Sequence, residues 1–444
     1  MSRARRVVIV GGGAAGTLVA IHMAAYGRGA VSVVEPAERL GEGIAYGTTS
    51  PSHLLNVRAN GMSAFPDRPT HFTDWARAAG TEVTGTEVRG TEFLPRMLYA
   101  RYLRDTLAAA GGDRGGVSHV RSRAVGLAAD DGGARLVLSD GSEVAADDLV
   151  LATGNGQAPV GWLPDLPGVI RDAWAPGALE EVGPDASVAI VGSGLSAIDV
   201  VLSLRDRGHR GPATLVSSHG LLPEPHAARV LAARPHAIDP ANVTGAGRLV
   251  RALRADAAAA EDWRQTIDGV RPVTVATWRA LSIEEQRRAL RHGFRRWEVR
   301  RHRMAPEVAA VVEAWRADGR LRVVRGRVVG VDERDGRLAM TVDSAGARMV
   351  ADVDVVVACV GPSADPLHDP LLRDAIRGGV LARHPLGLGL DVDQAGRARR
   401  PDGTNHPHVW TVGSLRKGAE WESTAVPELR LHAAAIAAAI DREA

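Results

Sequence analysis

An α/β fold is predicted for this 444-residue chain by three observations. The stretch VVIVGGGAAG at 7–16 is an apolar run, a glycine turn and a helix start, and VAIVGSGLSAIDV at 188–200 repeats the pattern. Each turn precedes a similar series of short strands, at 118–156 and 321–362, that closes on an apolar run and a glycine. Between 224 and 315 the chain is rich in Ala and Arg and helical in pattern. Two Rossmann-like dinucleotide-binding domains are expected, the second carrying a helical insertion.

The elements follow in order. RVVIV at 6–10 is apolar throughout, as a parallel strand covered on both faces must be. Residues 14–26 form an Ala-rich helix and 31–35 the next strand. The stretch 37–75 is irregular, with many Gly, Pro, Ser and Asn. Residues 93–110 read as an amphipathic helix with Pro95 in its first turn. The segment 118–156 is a strand, a meander turning on Asp and Gly, and an apolar strand that ends near Gly154. ATLVSS at 213–218 is the strand after the second glycine turn, and 321–362 repeats the meander. HVWTV at 408–412 is a last strand, and 427–440 a last helix with Thr424 as its cap. The expected division is 1–182 for the first domain, 183–340 for the second with its insertion at about 224–315, and 341–444 returning to the first.

In the first turn Gly11 makes the tight bend, Gly13 lets the backbone approach a pyrophosphate, and Gly16 lets the helix pack on the strand. The free N–H groups of the helix start face the phosphates. Glu35 ends the following strand, where an acid holds a ribose. In the second turn the roles fall to Gly192, Gly194 and Ala197, with Ser193, Leu195 and Ser196 beside them. Its following strand ends in Ser217, Ser218 and His219 with no carboxylate, which favours NADP over NAD because no charge repels a 2′-phosphate. Arg205, Arg207 and Arg229 are the nearby cations for that phosphate. Two such turns in one chain fit an FAD domain holding an inserted nicotinamide domain.

Composition narrows the function. The net charge of +2 is small, and the basic residues are Arg except Lys417, with no long run to mark a nucleic-acid surface. No apolar stretch reaches the roughly 18 residues of a membrane span. Cys359 is the only cysteine, so no redox cysteine pair exists, and a cytoplasmic location is expected. His406 and His408 lack grouped ligands, and no metal site is expected.

With these residues in view, the chain resembles the two-dinucleotide flavoprotein oxidoreductases, and within them the FAD-dependent urate hydroxylases and aspartate N-monooxygenases. The resemblance rests on GEGIAYGTTSPSHLLNVRANGMSAFPDRPTHFTDW at 41–75, GLLPEPH at 220–226, WEVRRHRMAPEVA at 297–309 and WESTAVPELR at 421–430. It implies FAD contacts at Gly11, Gly13, Ala14, Ala15 and Glu35, with Asn56, Met62 and Ser63 near the flavin ring. It places Gly413, Thr424 and Ala425 at the flavin's ribityl and pyrimidine side. Ser414 stands where many flavoproteins carry Asp. It further implies that NADPH reduces FAD, that O2 adds to it, and that one oxygen passes through a flavin hydroperoxide to a small polar or anionic substrate. That substrate is an amino-acid amine or a urate-like ring. Asn56, Arg58, Arg96 and Tyr99 are the candidate substrate residues, Arg96 and Tyr99 sharing a helix face. Trp297, Arg301 and His302 are further candidates for the pocket wall. A flavin reductase that inserts no oxygen and a non-catalytic redox sensor are the alternatives. A homo-oligomer is compatible with the sequence.

Overall fold

The computed structural model describes residues 5–26, 29–111, 116–236 and 238–443. The first apolar run becomes the strand Arg6–Val10 and the glycine turn leads into the helix Ala14–Tyr26. Val7 and Ile9 point to one core and Val8 and Val10 to another, which is why the strand carries no polar alternation. The six-stranded sheet runs Arg397–Arg399, Asn405–Thr411, Asp148–Leu151, Arg6–Val10, Ala30–Val34, Ser118–Val120. Only Arg397–Arg399 is antiparallel in it.

The second sheet is all parallel: Leu321–Arg325, Ala213–Ser217, Val188–Val191, Val355–Ala358, Val169–Ile170. Each sheet receives a three-stranded antiparallel meander, Ala124–Asp130 to Glu143–Ala146 in one case and Arg327–Arg334 to Ala347–Val353 in the other. After each meander a fully buried strand, Asp148–Leu151 or Val355–Ala358, returns beside the glycine-turn strand. Gly156–Gln157 pairs antiparallel with Pro362–Ser363, joining the two chain crossings between the sheets.

Sheet membership differs from the expected division. Val169–Ile170 pairs with Val356 and Val357, and Ala347–Val353 and Val355–Ala358 also belong with the second sheet. The crossings therefore lie near 157 and 362 rather than at 183 and 341. A two-residue strand has no periodicity to betray it, and the expected boundary at 340 cut the second meander inside Arg337–Ser344.

The insertion runs from Ala246–Ala259 to Pro306–Ala317 and connects two parallel neighbours, Ala213–Ser217 and Leu321–Arg325. Asp262 and Gln265 form a capping box on Trp263–Gly269, and the Ser282 hydroxyl accepts from the Glu285 N–H at the start of Ile283–His292. The insertion leans on the returning segment 417–430. Trp278 donates to the Gly418 carbonyl at 2.7 Å, and Arg271 pairs with Glu428 at 2.7 Å. Two helix starts shift from expectation. Pro95 forms a bridge with Leu54 and the helix is Arg96–Gly111. The last helix, Val426–Glu443, takes its first bond at the Ala425 carbonyl rather than a cap from Thr424.

Gly16 shows how tightly the first turn is built. A Cβ there would lie 1.9 Å from the Gly11 carbonyl oxygen, a backbone atom that cannot move aside. Gly16→Ala should therefore lower the melting temperature by several degrees and yield protein without retained FAD, read by thermal unfolding and flavin absorbance. A variant with native stability and full flavin content would contradict this packing.

Candidate dinucleotide clefts and the cavity between them

The first groove is shaped by glycines. Gly11 has φ +103°, and a Cβ on it would meet the Ala152 carbonyl oxygen at 2.3 Å. Gly13 faces Gly43 across the groove, and a Cβ on Gly13 would come no closer than 3.6 Å to anything outside its own turn. Bare backbone at a helix start is a cradle for a pyrophosphate. Glu35 accepts the Gly12 N–H at 2.8 Å and the Ala37 N–H at 2.9 Å, which fixes its carboxylate at the groove's edge. Gly413, at φ +75°, packs against this helix start, since its Cβ position lies 3.6 Å from the Ala15 Cβ. The residues present fit FAD. Gly154 is exposed with open space around it, and the buried Ser414 hydroxyl has no partner among the described residues.

Met62 and Ser63 do not fit the role the resemblance implied. Met62 is 2% exposed inside the core with Phe65 and Phe72, so it has no surface left for a flavin. Ser63 is fully buried and its hydroxyl serves the Phe65 and Arg68 carbonyls of its own turn.

The second cleft, of about 1380 Å³, is lined by the other glycine turn with Leu195, Ser196, Ser217 and Ser218. A Cβ on Gly192, at φ +131°, would meet the Cys359 carbonyl oxygen at 2.0 Å, whereas Gly194 has nothing within 4 Å. Ser193 is buried, its hydroxyl 2.7 Å from Ser217 Oγ and 2.6 Å from the Leu221 carbonyl oxygen, so it ties the loop rather than reaching a ligand. The expected cations point elsewhere. Arg205 binds Asp206 and Ser52, Arg207 the Glu180 carbonyl, and Arg229 pairs with Glu261. Arg325 and Arg327 line the cleft instead. Arg325 stands in register with Ser217 on the adjacent parallel strand, and the Gly326 N–H donates to the Ser217 carbonyl at 2.9 Å. Its sequence signal, an Arg closing the apolar run LRVVR, has meaning only once the strand order is known.

A cavity of about 310 Å³ adjoins the second cleft, with Asn56, Arg58, His226, Trp297, Arg301 and Ala425 in its wall. Phe294, Glu298, His302, Lys417 and Thr424 line this cavity and the NADP-side cleft alike, so the two spaces meet there. Arg58 donates to the Thr91 and Ala227 carbonyls and sits 4.8 Å from the Phe93 ring centre, with no carboxylate bonded to it among the described residues. Burial lowers its pKa. His226 donates Nε2–H to the Asn56 carbonyl at 3.0 Å, and burial pushes its pKa down to about 4. His302 is pushed down to about 4 by burial against the pull of Glu298. Both imidazoles are neutral near pH 7.

Arg96 and Tyr99 lie away from this cavity. Arg96 forms an ion pair with Asp199 of the second glycine-turn helix. Burial raises the Asp199 pKa although Arg96 lowers it. Tyr99 is fully buried, 4.8 Å from the Tyr46 ring, and its pKa is raised by that burial. The helix face they share packs inward. Arg301 and Trp297 do reach the cavity, both bonded to Glu422.

Residues 8–156 match the family described as FAD-NAD(P)-binding. The whole chain superimposes on an ornithine N-hydroxylase of Kutzneria sp. 744, whose structure contains reduced FAD, NADP+ and L-ornithine. The TM-score is 0.69 at 17% identity, over 99% of this chain and 100% of that one. The chain has the two-dinucleotide flavoprotein fold. L-lysine 6-monooxygenase from Pseudomonas syringae is similar at TM-score 0.69 and 16% identity, with 99% of each chain covered. A thioredoxin reductase from Lactococcus lactis shares the fold more loosely, at TM-score 0.55 and 12% identity over 99% and 98%. No curated protein sequence matches the chain.

The register of Arg325 with Ser217 predicts the coenzyme preference. Arg325→Ala should raise the KM for NADPH about tenfold to a hundredfold, the range for losing a charge-assisted hydrogen bond, and leave the KM for NADH within about threefold. Steady-state kinetics with both coenzymes checks this, and an equal loss for both would contradict it.

Proposed function

We propose that the protein is an NADPH-dependent FAD monooxygenase that hydroxylates the amine nitrogen of a small anionic substrate. The observation that carries this reading is the convergence at the 310 Å³ cavity. Thr424 and Ala425 lie in its wall at the start of Val426–Glu443, the helix that packs on the FAD-side helix Ala14–Tyr26, and Thr424 and Lys417 also line the NADP-side cleft. Bound FAD would accept hydride from NADPH and, once reduced, react with oxygen.

The chain's own residues do the rest. Gly13 and Gly194 admit the two pyrophosphates to bare helix starts. Phe294, Trp297 and Trp421 give the cavity an aromatic wall that keeps water from the reacting centre. Arg58, bonded only to carbonyls, offers a positive charge to an anionic group. The neutral His226 and His302 leave the substrate's amine without a strong acid beside it. The overall reaction balances as amine plus O2, NADPH and a proton giving hydroxylamine, NADP+ and water.

The fold also serves a thioredoxin reductase, but the relay such an enzyme needs has no counterpart in this sequence. Cys359 is the only cysteine, it is buried, and burial pushes its thiol up to about 12. The two amine-oxidising enzymes that share the fold across the full chain support nitrogen rather than ring carbon as the target. A cytoplasmic location fits an NADPH consumer with one reduced cysteine.

Labelled oxygen gas tests the reading. With ¹⁸O2, NADPH and a substrate that stimulates NADPH oxidation, mass spectrometry should find one ¹⁸O in each product molecule. Product formed at an undiminished rate without oxygen would make the protein a dehydrogenase.

A further inference from the structure

Lys417 is the single lysine among 54 basic Lys and Arg residues. It opens the short helix Lys417–Glu420, directly after the Gly413–Arg416 turn, and faces the space shared by the cavity and the NADP-side cleft. Its Nζ lies 5.7 Å from the ring centres of both Phe294 and Trp421. Among the described residues, Arg58 and Lys417 are the cations of the cavity wall without a carboxylate partner. Arg271 pairs with Glu428 at 2.7 Å, Arg301 with Glu422 at 2.9 Å, and Arg303 with Asp268. Glu298 is taken by Arg295 at 3.3 Å. Among the described residues no carboxylate or carbonyl bonds the Lys417 ammonium.

We propose that Lys417 is the specificity-determining residue that holds the substrate's anionic group, an assignment that rests on the monooxygenase reading. Two ring contacts near 6 Å are weak cation–π partners and leave all three N–H donors free. A guanidinium demands a planar partner in a fixed fork, whereas an ammonium turns its donors toward whatever the cavity admits. The coenzyme does not need this charge, because Arg291, Arg295, Arg296, Arg325 and Arg327 line its cleft. An unpaired ammonium also has a second effect. It raises the cost of another ammonium in the same cavity and so favours the substrate's amine in its neutral form, which has the lone pair that accepts oxygen. A diamine would bring two positive charges and no partner for Lys417. The site therefore selects amines or ring nitrogen compounds of net negative charge and rejects diamines.

The test uses the holoenzyme, Lys417→Met and Lys417→Arg, with L-aspartate, urate and cadaverine as probes. Binding is read from perturbation of the flavin spectrum and from the probe's KM in NADPH oxidation. The native enzyme should answer to an anionic probe and ignore cadaverine. Lys417→Met should weaken that probe about tenfold to a hundredfold, and Lys417→Arg should recover most of the loss. FAD content and the KM for NADPH should stay within about twofold, which a merely structural role would not ensure. Three outcomes overturn the assignment: unchanged probe affinity in Lys417→Met, a raised KM for NADPH instead, or a native enzyme that answers only to cadaverine or to no probe. Failure of NADPH to bleach the native flavin would instead strike the monooxygenase reading, since probe binding is still visible in the spectrum.

Discussion

In both glycine turns the strand-end carbonyl of the neighbouring strand lies where a side chain would begin. The Ala152 oxygen would stand 2.3 Å from a Cβ on Gly11, and the Cys359 oxygen 2.0 Å from one on Gly192. Each carbonyl belongs to the strand that follows a meander and returns beside the glycine-turn strand. That return forces the loop into positive φ, at +103° and +131°, which only glycine adopts without strain. The helix that follows then begins over the sheet's carboxyl end, with its first N–H groups turned toward the groove. Two nucleotide sites thus arise from one packing constraint applied twice.

The remaining architecture holds the two grooves against each other. Arg96 reaches from the FAD-side helix Arg96–Gly111 to Asp199, and His53 donates to the Asp199 carbonyl at 3.0 Å. On the opposite side Trp278, Arg271, Arg279 and Arg301 of the insertion grip the segment 418–428. These contacts are buried or half-buried and span the two sheets, so they resist rotation of one against the other more than surface ion pairs would. The cavity sits where the insertion, the returning segment and the loop around Asn56 meet.

Much of the fold was legible because buried parallel strands and glycine turns write themselves locally. RVVIV and the helix after it could be placed to the residue. What depends on distant pairing could not. Val169–Ile170 is too short to show a pattern, and Arg325 gains its place only from the neighbouring strand. Resemblance put Met62 and Ser63 near the flavin ring but could not say that both side chains turn inward. Helical spacing put Arg96 and Tyr99 on one face without revealing that the face meets protein. Asn56, Arg58 and Trp297 lie in motifs, distant in sequence, that meet at the cavity.

The central claim is that the two clefts present their dinucleotides to each other, so that hydride passes directly between them. Anaerobic stopped-flow reduction of the bound flavin tests it, using NADPH carrying deuterium on one or the other face of nicotinamide C4. Direct transfer in a fixed geometry predicts first-order bleaching, slowed severalfold by deuterium on one face and not the other, at a rate independent of protein concentration. Bleaching that shows no isotope effect on either face, or that requires a second protein molecule, would contradict the account.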